Sequence, residues 1–172
     1  HGSWTKNHTR LCLYHHHGTP GENGILQGYF ELLGIPYSTC DVLVSALTFS
    51  KFTLNQYLKG FGVRVAESML VNKRHGISDE DVIAKIGLPC FIKPNASGSS
   101  FGVTKVKTKE QIQPALEAAF KESDDVMIEA FMDGIELANG CYKTKKMKWY
   151  SLSRKWSARM NSSITTPNTK VK

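Results

Sequence analysis

Apolar positions along this chain change period several times, and each change predicts an element. In ILQGYFELLGIP, Ile25, Leu26, Tyr29, Phe30, Leu32 and Leu33 share one broad helical face, and the run stops at Gly34 with Pro36 just beyond. GISDEDVIAKIGLP repeats the device: Ser78 is placed to cap, Asp81 stands three residues later, and Gly87 and Pro89 close the helix. CFIKPN then reads as a strand, ASGSSFG as a flexible loop and VTKVKT as a second strand. A helix over KEQIQPALEAAF and another strand, DVMIEAF, follow. Helices joined by short apolar runs predict an α/β or mixed α+β architecture, whose small sheet carries a glycine- and serine-rich flap at one edge.

Composition and charge narrow the class. At 172 residues, 41% hydrophobic and 22% charged, the chain suffices for one ordinary core or two small ones and does not have a disordered composition. No stretch approaches the roughly 18 apolar residues of a membrane span, and the start shows no export signal. A soluble, non-exported protein with no membrane partner is expected. Cys12, Cys40, Cys90 and Cys141 are far apart and form no CxxC pair, so they are expected to be reduced thiols in a cytoplasm. The net charge of +7 raises the question of a nucleic-acid partner. Its distribution answers for the core: from Gly18 to Tyr142, 11 Lys or Arg stand against all 15 Asp and Glu, whereas the nine basic residues from Lys143 onward meet no acid.

Three segments have side chains suited to chemistry. HGTPGENG sets one His and one Glu among glycines directly before a helix, a loop whose amides and helix N-terminus can face an anion. Alone, it equally describes a tight strand-to-helix turn. In FIKPNASGSSFGV, Lys93 follows an apolar strand, and Gly98, Ser99, Ser100 and Gly102 supply amides and hydroxyls of the kind phosphate oxygens need. The bland reading is a surface hairpin, and no GxxxxGK[ST] motif is present. VMIEAFMDGIE ends an apolar strand with Glu129 and adds Glu136, one carboxylate fit for an adenine amine and one for ribose hydroxyls, or two solvated carboxylates on a sheet edge.

Their joint order changes the balance. HGTPGENGILQGYFELLGIPY, SALTFSK, GLPCFIKPNASGSSFGVTKV and VMIEAFMDGIE, in sequence and well spaced, resemble the D-alanine:D-alanine ligases of the ATP-grasp superfamily over nearly all of Gly18 to Tyr142. The resemblance implies a partial ATP-grasp fold, with residues 17–50 ending an N-terminal substrate domain and residues 51–148 forming the central ATP-binding domain. It implies that Lys51 and Lys93 contact phosphates, and that Ser99 and Ser100 belong to a flap over the γ-phosphate and the reacting carboxylate. Glu129 would meet the adenine amine and Glu136 the ribose. His17, Gly18 and Glu22 would form the loop beside D-alanine, with Ser99 and His17 as the catalytic pair. Ser50 departs from the pattern, since an Asp commonly precedes that lysine.

The implied reaction uses ATP to phosphorylate one D-alanine carboxylate, and the amine of a second D-alanine then displaces phosphate to give the dipeptide for peptidoglycan. Mg²⁺ or Mn²⁺ would be held by a third domain, so no metal ligand is expected in this chain. The complete enzyme is expected to be a homodimer. The polypeptide as written is expected to be inactive alone, because it lacks the closing loop, the oxyanion-stabilising arginine and the metal ligands. Two rival readings are a related ligase making D-alanyl-D-lactate or D-alanyl-D-serine, and a non-catalytic nucleotide-binding or nucleic-acid-binding module.

Residues 1–16 and 149–172 lie outside the resemblance, and both read as the same gene in the wrong frame. Trp149 is only TGG and Tyr150 begins TA, which forces GTA, valine, in the shifted frame; Met160 before Asn161 forces GAA, glutamate. Allowed wobble bases elsewhere restore VFPVTEVVSKNEFFDYDAKYKGE. In the opposite sense, Arg10 to His16 restore DYAYITI, leading into His17. The tail as written shows no periodicity and is expected to be disordered or misfitted. Sequencing the encoding DNA at both junctions tests this: if single-base changes do not restore ligase sequence there, the idea fails.

Overall fold

The computed structural model describes Cys12 and residues 17–97, 101–135, 137–142 and 150–155, the last two stretches by their backbone. The chain divides into two compact units, His1–Phe131 and Met132–Lys172. The domain boundary expected between residues 50 and 51 therefore falls inside the first unit.

The first unit contains α1 (Ile25–Leu32), α2 (Val42–Phe49), α3 (Lys51–Gly60), β1 (Ser68–Asn72), α4 (Asp79–Lys85), β2 (Cys90–Pro94), β3 (Thr104–Val106), α5 (Ile112–Ala119) and β4 (Asp125–Ala130). Its four strands lie in the order β1-β4-β2-β3, each pair antiparallel. The period-2 alternation of CFIKP decides what each face does. Cys90, Ile92, Val106, Val126 and Ile128 point to one side, where Val82 of α4 and Ile112, Ala115, Leu116 and Ala119 of α5 bury them. Fully burying each branched side chain stabilises by about 1.5–3 kcal/mol. Phe91, Lys93, Met127 and Glu129 take the alternate positions and share the opposite face.

Local signals account for the helices. Ser78 accepts from Asp81 N–H at 3.1 Å, and three acids occupy the first turn of α4, where the helix dipole favours them. Gly87 (φ 80°) follows its C-cap. The expected helix KEQIQPALEAAF begins instead as a 3₁₀ turn, Lys109–Gln111, closed by a Thr108–Gln111 capping box. Pro114 falls in the first turn of α5, where an amide lacks an intrahelical acceptor anyway.

In α1, Ile25, Tyr29 and Leu33 are exposed, Leu32 is 88% exposed, and Gln27 is buried. At its N-cap, a Cβ on Gly24 (φ 91°) would lie 2.9 Å from the carbonyl oxygen of Val42, which requires glycine there. One expectation needs correction, for part of the tail: residues 150–155 form a strand, while residues 156–172 lie outside the described residues. In the second unit, β5 (Leu137–Tyr142) pairs antiparallel with β6 (Tyr150–Lys155), from Leu137 opposite Lys155 to Tyr142 opposite Tyr150. YSLSRK begins with an apolar-polar alternation that suits a strand.

Candidate functional site

The site is built where the end of β2 meets the start of α3. Lys93 lies on the sheet face opposite the α4–α5 core, and its Nζ donates to Glu129 Oε1 of the neighbouring strand at 2.5 Å. Their side chains are 19% and 18% exposed, so the pair is sheltered but reachable. The diagonal register of β2 and β4 produces this contact, since Lys93 faces Met127 and Glu129 faces Phe91. Lys105 on β3 faces Phe91, and its Nζ stands 3.4 Å above the centroid of the Phe131 ring.

Lys51 is the first residue of α3. Its Nζ donates to three backbone carbonyls at the base of the glycine-serine loop, Ser97 at 2.7 Å, Pro94 at 3.1 Å and Asn95 at 3.5 Å. Burial pushes its pKa below the ordinary lysine value of 10.5, the nearby Lys93 charge pushes the same way, and Glu129 opposes both. Two ammonium groups and one carboxylate are thus gathered at one place. Such an arrangement holds surplus positive charge, which an incoming polyanion relieves.

Around Lys51 the backbone is pinned. Its own N–H donates to Asn95 O at 3.2 Å, Phe52 N–H donates to Asn95 Oδ1 at 2.9 Å, and Thr53 N–H donates to Ser50 Oγ at 3.4 Å. The first-turn amides of α3, the usual anion cradle of a helix, are therefore satisfied within the protein. Charge for a phosphate has to come from the side chains. On the far side of the loop, Gly102 (φ 71°) packs against Pro94, where a Cβ would come within 3.0 Å of the ring.

The loop ahead of α1 forms a second constellation. Glu22 accepts from Gly18 N–H through Oε2 at 2.5 Å, while its Oε1 lies 3.8 Å from His17 Nδ1, and the His17 side chain is 74% exposed. Gln27 secures the loop from below, donating through Nε2 to Gly21 O at 2.9 Å and to Thr39 Oγ1 at 3.1 Å. Its Oε1 is buried without a hydrogen-bond partner among the described residues.

Of the residues expected at the site, the structure brings Lys51, Lys93 and Glu129 together and sets His17, Gly18 and Glu22 in a loop of their own. Ser99, Ser100 and Glu136 lie outside the described residues. Asn95 and Gln27 were not singled out from the sequence. The signal that could have found them is a buried amide side chain, which needs partners of its own.

Comparison with known proteins gives a consistent picture. Residues 57–160 match the family described as D-ala D-ala ligase C-terminus. A D-alanine–D-alanine ligase of Phocaeicola vulgatus is 78% identical over 128 residues, which are 74% of this chain and 40% of that protein. The corresponding protein of Bacteroides fragilis is 67% identical over 76% of this chain, again 40% of its own length. This chain thus spans about 40% of the length of these curated relatives. Among solved structures, D-alanyl-alanine synthetase A from Vibrio cholerae superposes with a TM-score of 0.74 at 32% identity, covering 83% of this chain and 43% of that one. The VanG D-Ala:D-Ser ligase of Enterococcus faecalis superposes with a TM-score of 0.68 at 31% identity, covering 88% of this chain and 51% of that one.

Proposed function

As a member of the D-ala D-ala ligase family carrying part of its ATP-grasp fold, this chain, we propose, supplies the nucleotide-binding lysines and one D-alanine-binding loop of an ATP-dependent D-alanine:D-alanine ligase. The observation that carries this reading is the convergence of Lys51 and Lys93 beside Glu129 at the foot of the glycine-serine loop. Transfer of the γ-phosphoryl group to one D-alanine carboxylate forms a C–O–P link and releases ADP. The amine of a second D-alanine then attacks that carbonyl, phosphate leaves, and the amine loses a proton as the peptide bond forms.

Lysines serve the first step by offsetting charge on the transferring phosphoryl group, which is mainly positioning and electrostatic work. Glu129 holds Lys93 in place and offers its remaining acceptor capacity to the adenine amine. His17 and Glu22 are assigned to the D-alanine carboxylate and amine, with Gly18 kept in its turn by the Glu22 carboxylate. Ser99 and Ser100 complete the lid, and Glu136 binds ribose. Mg²⁺ or Mn²⁺ would add charge neutralisation when bound. Among the described residues no three His, Cys, Asp or Glu side chains gather to hold an ion. No helix among the described residues is long and apolar enough to cross a membrane. The cytoplasm, which holds ATP, is the proposed location, and a homodimer the proposed assembly.

Titrating ATP into this chain tests the reading. Lys93→Ala removes one charge-assisted contact, worth about 1.5–3 kcal/mol, so affinity should fall roughly ten- to a hundredfold. Unchanged ATP binding by that variant sinks it. The likeness to a D-Ala:D-Ser ligase supports a second reading with D-serine as acceptor. Chromatography of the dipeptide made by the complete enzyme from mixed D-alanine and D-serine separates the two.

A further inference from the structure

A helix that presents a charged side chain to a ligand must be fixed at that end, and α3 is fixed by a residue more than forty positions away. Asn95 is 6% exposed, and its main chain and side chain both make hydrogen bonds. Its N–H donates to Asp125 O at 2.9 Å, tying it to the start of β4. Its carbonyl takes the N–H of Lys51, and its Oδ1 takes the N–H of Phe52. Its Nδ2 donates to Ser50 Oγ at 3.1 Å. Because a backbone N–H can only donate, the Phe52 contact fixes which side-chain atom is the oxygen. Of the first three amides of α3, Asn95 satisfies two, and it steadies the Ser50 hydroxyl that satisfies the third. Ser50 caps α3 from within the turn, and the two amides it leaves are taken by Asn95, the residue just after the strand that carries Lys93.

We infer that Asn95 is a positioning residue: it locks the first turn of α3 to the end of β2, and so fixes where the Lys51 ammonium stands relative to Lys93 when a nucleotide triphosphate binds. This rests on the nucleotide-binding reading given above. The link is geometrically direct, since Asn95 is two residues from Lys93 along the chain and bonded to both Lys51 and Phe52. Losing its side chain frees the Phe52 amide and the Ser50 hydroxyl and lets the two cations separate, a change that a polyanion bridging them would register.

The test uses the 172-residue chain and three variants, with ATP titration, thermal unfolding and amide hydrogen exchange measured together. Asn95→Ala should weaken ATP binding about tenfold, as for the loss of one or two hydrogen bonds, and speed exchange at Phe52. Ile112→Val lies on the opposite face of the sheet and should lower thermal stability while leaving ATP affinity unchanged. Ser50→Asp combined with Asn95→Ala replaces the capping hydroxyl with a carboxylate that can also accept from the freed Phe52 amide, and should recover most of the affinity. Asn95→Ala binding ATP as the parent does, or Ile112→Val losing affinity in step with stability, overturns the inference. If the parent chain binds no ATP, the nucleotide-binding reading fails. Asn95 is then judged by exchange alone: unchanged protection at Phe52 overturns the lock, and faster exchange upholds it.

Discussion

Lys51 keeps its charge against partial burial and a neighbouring cation, with three carbonyl oxygens as compensation. Its folded-state pKa lies below 10.5, so between that lowered value and 10.5 the unfolded chain binds more protons than the folded one. Stability should therefore rise with pH across that window, while below it both states are protonated and the penalty remains in full. Urea unfolding at stepped pH, compared between the parent and Lys51→Met, checks this: the variant should lack the extra slope. ATP affinity should move the other way and decline as the pH passes the lowered pKa, because a neutral amine attracts no phosphate. A parent whose stability profile matches that of Lys51→Met would show that the carbonyl cage compensates fully.

Elements whose signals are local were legible in the sequence. Ser78 and Gly87 bracket α4, and the alternation of CFIKP marks β2, because caps and period-2 patterns act within a few residues. Ser78→Ala should lower the unfolding free energy by about 1 kcal/mol in urea titration, and an unchanged midpoint would mean that the packing of Val82 alone sets this helix. Helices α2 and α3 were not read, although Asp41 caps one by accepting from Val44 N–H at 2.8 Å and Ser50 caps the other. No glycine or proline separates them, and only Ser50 marks the break. The placement of β4 between β1 and β2 was also illegible, since it joins strands far apart in sequence. At the site, resemblance supplied Lys51, Lys93 and Glu129, whereas the part played by Asn95 depends on partners 43 to 45 residues away and leaves no local trace.

At the scale of the whole chain, the sheet of the first unit should dictate where protection from solvent is greatest. Amides of Ile92 in β2 and Ile128 in β4, on the two inner strands, should be the slowest to exchange with deuterium, with Leu70 on the edge strand β1 faster. Edge-strand amides outlasting those of β2 and β4 would contradict this strand order. The outward-facing apolar residues of α1 belong to the same scale, because amphipathic spacing says that a helix has an apolar side but not which way the fold turns it. At the start of α1, the missing side chain of Gly24 lets the Val42 carbonyl approach. Heredity meets a hard constraint there. Any change in the first two bases of a glycine triplet brings in a side chain or a stop, so this single vertex stays bare as long as the Val42 carbonyl sits against it.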